Sequence, residues 1–199
     1  MTANNQVPAI DAIALKEEHE DHRMFGLIVF LLSESVIFLS LFVGYTVFKT
    51  NNPDWLPTSF NGPELREPLI NTIVLISSSF VIYIAERFLH KENLWGFRIF
   101  WLLTMLMGAY FLYGQAIEWN ALPFSLTTGG VYGGIFYLLT GFHGLHVLTG
   151  ILMQSIMLGR SFIPNNYEQG EFGVAATSIF WHFVDVIWIL LFILIYLWK

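Results

Sequence analysis

Five long apolar stretches, separated by short polar linkers, dominate the pattern of hydrophobic and polar positions along the chain. Each stretch is long enough to cross a hydrocarbon layer of about 30 Å as an α-helix. The pattern therefore predicts an all-α polytopic membrane protein, with a bundle of five transmembrane helices as its one domain. The predicted helices lie at about 24–48, 69–89, 95–117, 134–158 and 174–198, within a transmembrane domain at 24–199.

The first 23 residues differ from the rest of the chain, because they are polar and hold a third of its fifteen acids. We predict that 1–23 forms an acidic N-terminal tail outside the membrane. The acids of this tail are Asp11, Glu17, Glu18, Glu20 and Asp21.

Composition favours the same class of protein. Hydrophobic residues make up 55% of the chain and charged residues 12%, whereas soluble domains average about 25% charged residues. The sequence has no basic patch, so nucleic acid is not an expected partner. It also has no cysteine, which excludes disulfides, iron–sulfur clusters and thiolate-bound copper or zinc within the chain.

The nine lysines and arginines are distributed unevenly between the two ends of the predicted bundle. On the side of the N-terminus lie Lys16, Arg23, Arg87, Lys91, Arg98 and Arg160. On the other side lie Lys49, Arg66 and Lys199. Because basic residues concentrate on the cytoplasmic side, we predict an N-terminus inside and a C-terminus outside.

Ionisable residues are costly inside a membrane, yet this chain places five of them deep within the predicted helices. Counted from the helix ends, all five fall near the middle of the membrane. This shared depth predicts one polar layer between helices 1, 4 and 5. The five residues are Glu34, His143, His146, His182 and Asp185.

Spacing predicts how these residues are oriented. His143 and His146 are three residues apart and are expected to share a face of helix 4. His182 and Asp185 have the same spacing on helix 5 and are expected to interact directly. On helix 1, Glu34 flanks a stripe of small residues that favours close helix contact. The stripe comprises Gly26, Ser33, Ser40 and Gly44.

Gln115 and Glu118 lie at one end of helix 3, where a rim open to water accounts for their polarity.

Three interpretations of the buried polar residues remain open from the residues alone. The first is a metal or haem site built from His143, His146 and His182, since three imidazoles bind zinc or copper. The second is a proton path through Glu34, because intramembrane acids often mark such paths. The third is a hydrogen-bonded network that holds three helices together, with no chemistry of its own.

Four segments resemble the haem–copper oxidase subunit III family, which includes cytochrome c oxidase subunit III. Together they extend the resemblance over about 24–198, and they occur in the order that the family has. The segments are FLLSESVIFLSLFVGY at 30–45, YGQAIEW at 113–119, GFHGLHVLTG at 141–150 and FWHFVDVIWILLFILIYLW at 180–198.

The resemblance implies an accessory subunit of a proton-translocating terminal oxidase in aerobic respiratory electron transport. Such a subunit has no redox centre and no catalytic residues, and it packs directly against subunit I. Haem and copper are expected in the partner subunits I and II. The resemblance further implies phospholipid binding, a stabilising role and support of proton uptake.

By the same resemblance, Glu34 corresponds to the buried glutamate of the family. His143 and His146 correspond to the histidines of its FHGLH motif, and His182 and Asp185 to the histidine and aspartate of its WHFVD motif. None of these positions binds a metal in the family. Members of the family with seven helices have two additional helices at the start, so this chain is expected to be a five-helix form. The expected location is a bacterial cytoplasmic membrane or an internal respiratory membrane.

Two other functions remain as alternatives. The first is the five-helix subunit III of a bo-type quinol oxidase. This subunit alone does not distinguish the two oxidases, because the electron donor binds to other subunits. An independent proton or solute transporter belongs to a different class of protein. The sequence has no inverted repeat and no broken helix at the membrane centre, which are typical features of secondary transporters.

Overall fold

The computed structural model describes residues 9–52, 55–57, 60, 62–167 and 171–198, with the side chains of the first helix described from residue 22 onward. The side chains of Lys16, Lys199 and the five tail acids lie outside this description. The division into a polar tail and a membrane domain therefore stays a prediction.

Five α-helices make up most of the described chain. They are α1 (Ala9–Asn51), α2 (Arg66–Leu89), α3 (Leu94–Ala121), α4 (Gly130–Arg160) and α5 (Phe172–Phe192), and a π-helical turn, Ile193–Leu197, continues α5. All five include a segment that is long and apolar enough to cross a membrane. The described residues contain no β-strand. The prediction of an all-α, five-helix membrane fold is confirmed.

Local sequence explains several helix ends. At the start of α3, the side chain of Asn93 accepts a hydrogen bond from the backbone N–H of Gly96 at 3.0 Å, which caps the helix. At its other end, α3 stops two residues before Pro123, because proline disfavours a helical conformation in the preceding residue. Gly130 begins α4 with a φ of +60°, a conformation that glycine adopts without steric cost.

The first helix is longer than the apolar pattern predicts. It begins at Ala9 rather than near residue 24, since the intervening segment includes the good helix formers alanine, leucine, glutamate and lysine. The part of α1 that is apolar enough to cross a membrane is His22–Asn51.

The contacts between helices show that successive helices run in opposite directions. Phe88 near the end of α2 packs against Phe100 near the start of α3. Trp119 near the end of α3 bonds to Thr140 in the first half of α4. The ends of α1 and α5 lie together, where Lys49 contacts Trp198. The end of the bundle where α1, α3 and α5 finish is called the C-terminal side below. Helices α2, α3, α4 and α5 form a ring in which each packs against its two neighbours. Outside this ring, α1 lies against α4 and α5.

Three fully buried tryptophans tie the ring together. Trp181 and Trp188 of α5 donate their indole N–H groups to α2, to Ser78 Oγ at 2.8 Å and Thr72 Oγ1 at 2.9 Å. Trp101 of α3 donates to a backbone carbonyl of α4 at 2.9 Å. Each indole therefore fills the core and also satisfies its one polar group, as a buried tryptophan requires.

Candidate functional site

Glu34 and His146 form a pair between α1 and α4. Glu34 Oε2 lies 3.0 Å from His146 Nε2, and the two side chains are only 18% and 12% exposed. The other ring nitrogen, His146 Nδ1, lies 2.8 Å from the carbonyl oxygen of Phe142. A carbonyl oxygen only accepts, so Nδ1 carries a proton. Consequently Nε2 either accepts a hydrogen bond from a neutral Glu34 or, when it is protonated, donates one to the Glu34 carboxylate.

Aromatic rings surround this pair. Phe38 is fully buried, and its ring centroid lies 5.0 Å from that of His146 in an edge-on arrangement. The ring of Phe142 lies 4.8 Å from the imidazole, and that of Phe180 stacks on it at 6.2 Å. The surroundings offer little competition for the hydrogen bond, which strengthens it relative to one in water.

His182 and Asp185 join a second cluster, centred on Ser79 of α2. Ser79 Oγ lies 2.9 Å from His182 Nδ1 and donates a hydrogen bond to Asp185 Oδ2. A hydroxyl has one proton to give, so the hydroxyl accepts from the Nδ1–H of His182. The expected direct interaction between His182 and Asp185 is wrong. Ser79 stands between them, because an adjacent helix supplies a group that fits the space.

His143 is isolated from both clusters. It is fully buried, and neither ring nitrogen has a hydrogen-bond partner among the described residues. Its ring packs against Trp188 at 4.9 Å and edge-on against Phe111 at 5.6 Å. His143 thus faces α3 and α5, whereas His146 faces α1. A three-residue spacing leaves about 60° between two side chains, enough to send them to different neighbours.

The five predicted residues therefore do not form one connected network in the described part of the chain. The histidines are divided among three surroundings, and no group of three or more described His, Asp or Glu side chains is close enough to hold a metal ion. The small-residue stripe of α1 does not face the bundle either. Ser33 and Ser40 are exposed, and a Cβ on Gly26 or Gly44 would meet no atom within 4 Å.

A third polar cluster lies near the C-terminal side, and the expectation of a water-exposed rim there is wrong for Gln115. Gln115 is only 4% exposed and donates to Glu118 Oε2 at 3.0 Å. Tyr196, from the π-helical turn after α5, donates its hydroxyl to both carboxyl oxygens of Glu118, at 2.8 and 2.9 Å. The three-residue spacing of Gln115 and Glu118 was the signal in the sequence, but nothing in it indicated Tyr196.

Five apolar helices with paired polar side chains between them define a polytopic α-helical membrane protein. A family model described as cytochrome c oxidase subunit III matches residues 17–199. The chain belongs to this family.

Relatives named cytochrome c oxidase subunit 3 agree with the family match. The one from Thermostichus vulcanus is 45% identical over 197 residues, which cover 98% of this chain and 96% of the relative. The one from Synechocystis sp. is 44% identical over 180 residues, covering 90% of this chain and 77% of the relative. The one from Scyliorhinus canicula is 36% identical, covering 87% of this chain and 69% of the relative.

Proposed function

We propose that the chain is the accessory subunit III of a haem–copper terminal oxidase that receives electrons from cytochrome c. The observation that carries this proposal is the 45% identity to a cytochrome c oxidase subunit 3 along almost the whole of both chains. The names of the relatives favour cytochrome c over a quinol as the donor. The complex would lie in a respiratory membrane, with the N-terminus of this chain inside.

In this proposal the chain carries no redox centre, and subunits I and II hold the haem and copper. Two findings support it. Four of the five buried ionisable side chains already form a hydrogen bond to another side chain, namely Glu34, His146, His182 and Asp185. No group of three or more described side chains is placed to bind a metal ion. The ring nitrogens of His143 have no partner in the described part of the chain, but two aromatic rings, those of Phe111 and Trp188, pack against it.

Subunit I would pack against α1. Only 6% of the apolar segment of α1 is buried within this chain, compared with 56% for the last helix. One face of α1 exposes a continuous apolar stripe, which is available to a partner or to lipid. The stripe comprises Leu32, Val36, Leu39 and Val43, each more than half exposed.

The Glu34–His146 pair would be the point at which the chain influences proton uptake. It holds one proton between two groups that each accept and release protons, and it lies where α1 meets the bundle. Phospholipid would occupy the apolar surface that α1 leaves open beside the ring of four helices.

Purification of the tagged chain in mild detergent tests the proposed function. We expect two larger subunits and haem absorbance in the same fraction, together with oxidation of reduced cytochrome c. Oxidation of a quinol instead would assign the chain to a quinol oxidase. A chain that purifies alone, with no haem, would contradict the proposal.

A further inference from the structure

A cavity of about 400 Å³ opens on the C-terminal side of the bundle, between the start of α2 and the end of α3. Glu67 and Asn71 of α2 form one wall, and Tyr110, Tyr113 and Glu118 of α3 form the other. No step of the proposed function uses this cavity.

The charges around the cavity have one sign. Three carboxyl groups line it, those of Glu64, Glu67 and Glu118, and no lysine, arginine or histidine is among its described lining residues. Glu64 and Glu67 are exposed and form no ion pair with a described residue. Negative charges around a cleft raise the local concentration of cations.

Asn71 provides an independent indication of a ligand. It is only 7% exposed, it lines the cavity, and its side chain forms no hydrogen bond with a described residue. Gly114 lets this amide lie against α3, since a Cβ there would come within 2.2 Å of Asn71 Nδ2. An unpartnered amide that faces a cavity can accept hydrogen bonds from a polar occupant and donate them to it.

The arrangement favours an organic cation over a metal ion. The carboxyl groups do not converge, because no three described acids or histidines are close enough to hold a metal. The cavity is also larger than an ion needs, and two aromatic residues, Tyr110 and Tyr113, line it. Aromatic rings attract organic cations. Asn71 and the carboxyl groups would accept hydrogen bonds from N–H donors.

We propose that this cavity binds an alkylammonium group with N–H donors, as found in an amine-bearing lipid headgroup or a free amine. The proposal rests on the cavity alone and does not depend on the function proposed above. Glu64 and Glu67 attract the cation, Asn71 and Glu118 accept its hydrogen bonds, and the tyrosines flank it.

Binding to the purified complex that contains the full chain tests the site. Native mass spectrometry would compare lysophosphatidylethanolamine with lysophosphatidylglycerol of the same acyl chain. We expect the ethanolamine lipid to bind about tenfold more tightly, since only it has an ammonium group. Equal binding of the two lipids would overturn the proposal.

Variants of the exposed acids connect that preference to the cavity. We expect Glu67→Gln to weaken binding of lysophosphatidylethanolamine about twofold, and Glu64→Gln with Glu67→Gln about fivefold, as for exposed charge pairs. Glu92→Gln is the matched control, because Glu92 is exposed in the α2–α3 turn at the opposite end of α2. We expect this variant to bind lysophosphatidylethanolamine as tightly as the wild type does. Unchanged binding by the double variant would overturn the proposal.

Competition identifies the source of the ammonium group. Displacement of the lipid by ethanolamine alone would support a free amine as the ligand, and failure to displace it would support a lipid headgroup. Displacement by Ca²⁺ at a lower concentration than ethanolamine requires would show a metal site and overturn the proposal.

Discussion

Glu34 and His146 share one proton between α1 and α4, because His146 Nδ1 already donates to the carbonyl of Phe142. A side chain at position 34 must therefore either donate to Nε2 or accept from it. The stability of the contact depends on this hydrogen-bonding ability rather than on a negative charge.

Glu34→Gln should keep the contact, since its amide can donate to a neutral imidazole. Glu34→Ala leaves Nε2 unpaired in aromatic surroundings, which we expect to lower the free energy of unfolding by about 1–3 kcal/mol. Denaturant titration of the chain in detergent measures both changes. Equal destabilisation by glutamine and alanine would show that the pair needs a charge. A double-mutant cycle with His146→Ala should give a coupling of about 0.6–1.7 kcal/mol.

Ser79 links α2 to two polar residues of α5, so its hydroxyl should matter more than those of neighbouring serines. We expect Ser79→Ala to cost about 1–2 kcal/mol of stability, because it leaves His182 and Asp185 without their shared partner. Ser77→Ala is the control, since the one hydrogen bond that the Ser77 hydroxyl makes to a described residue is to the Ile73 carbonyl of its own helix. Similar losses from the two variants in the same titration would contradict the link.

The sequence could identify which side chains are polar at depth, but not how they pair. Glu34 and His146 stand out because any ionisable group in an apolar helix does. Ser79 does not, since serines are common in membrane helices and usually bond to their own backbone, as Ser77 does. The partner of a polar residue depends on which helices are adjacent, and that information is not local.

Trp181 determines how closely α5, α3 and α4 approach one another. Its indole lies against Gly108 of α3 and Gly150 of α4, where an added Cβ would come within 2.5 and 2.7 Å of the ring. The bond to Ser78 holds the ring in place, so it cannot move aside easily. Small residues on two helices thus accommodate one large residue on a third, as in membrane helix packing generally.

Gly150→Ala should therefore destabilise the bundle by about 1–3 kcal/mol through overpacking. Gly134→Ala in the same helix is the matched control, because a Cβ there meets nothing within 4 Å. Thermal unfolding in detergent followed by tryptophan fluorescence measures both variants. An unchanged transition temperature for Gly150→Ala would show that the Trp181 ring moves aside without cost.

Helix positions were largely predictable from the sequence, because hydropathy identifies a membrane span directly. The ends of the helices were less predictable from the sequence. The sequence did not indicate the length of α1, because a polar helical segment has no hydropathy signal. It did not indicate the role of Tyr196 either, because the π-helical turn that positions this residue has no sequence signature.

The weak attachment of α1 suggests that partners complete its packing. The sequence has no cysteine, so a single Leu39→Cys variant reports on one position of the exposed stripe. We expect it to cross-link to a larger subunit of the complex. Leu106→Cys on α3 is the comparison, since Leu106 is 58% exposed and Leu39 59%. A cross-link from Leu106 but not from Leu39 would place the partner on α3 instead.

The most direct test of an accessory role is turnover of the oxidase complex purified with and without this chain. If the chain supports the enzyme without reacting chemically, the depleted complex should keep its haem spectrum and its initial rate with reduced cytochrome c. It should then lose activity sooner during sustained turnover. Loss of haem, or of the initial rate, on removal of the chain would contradict the account.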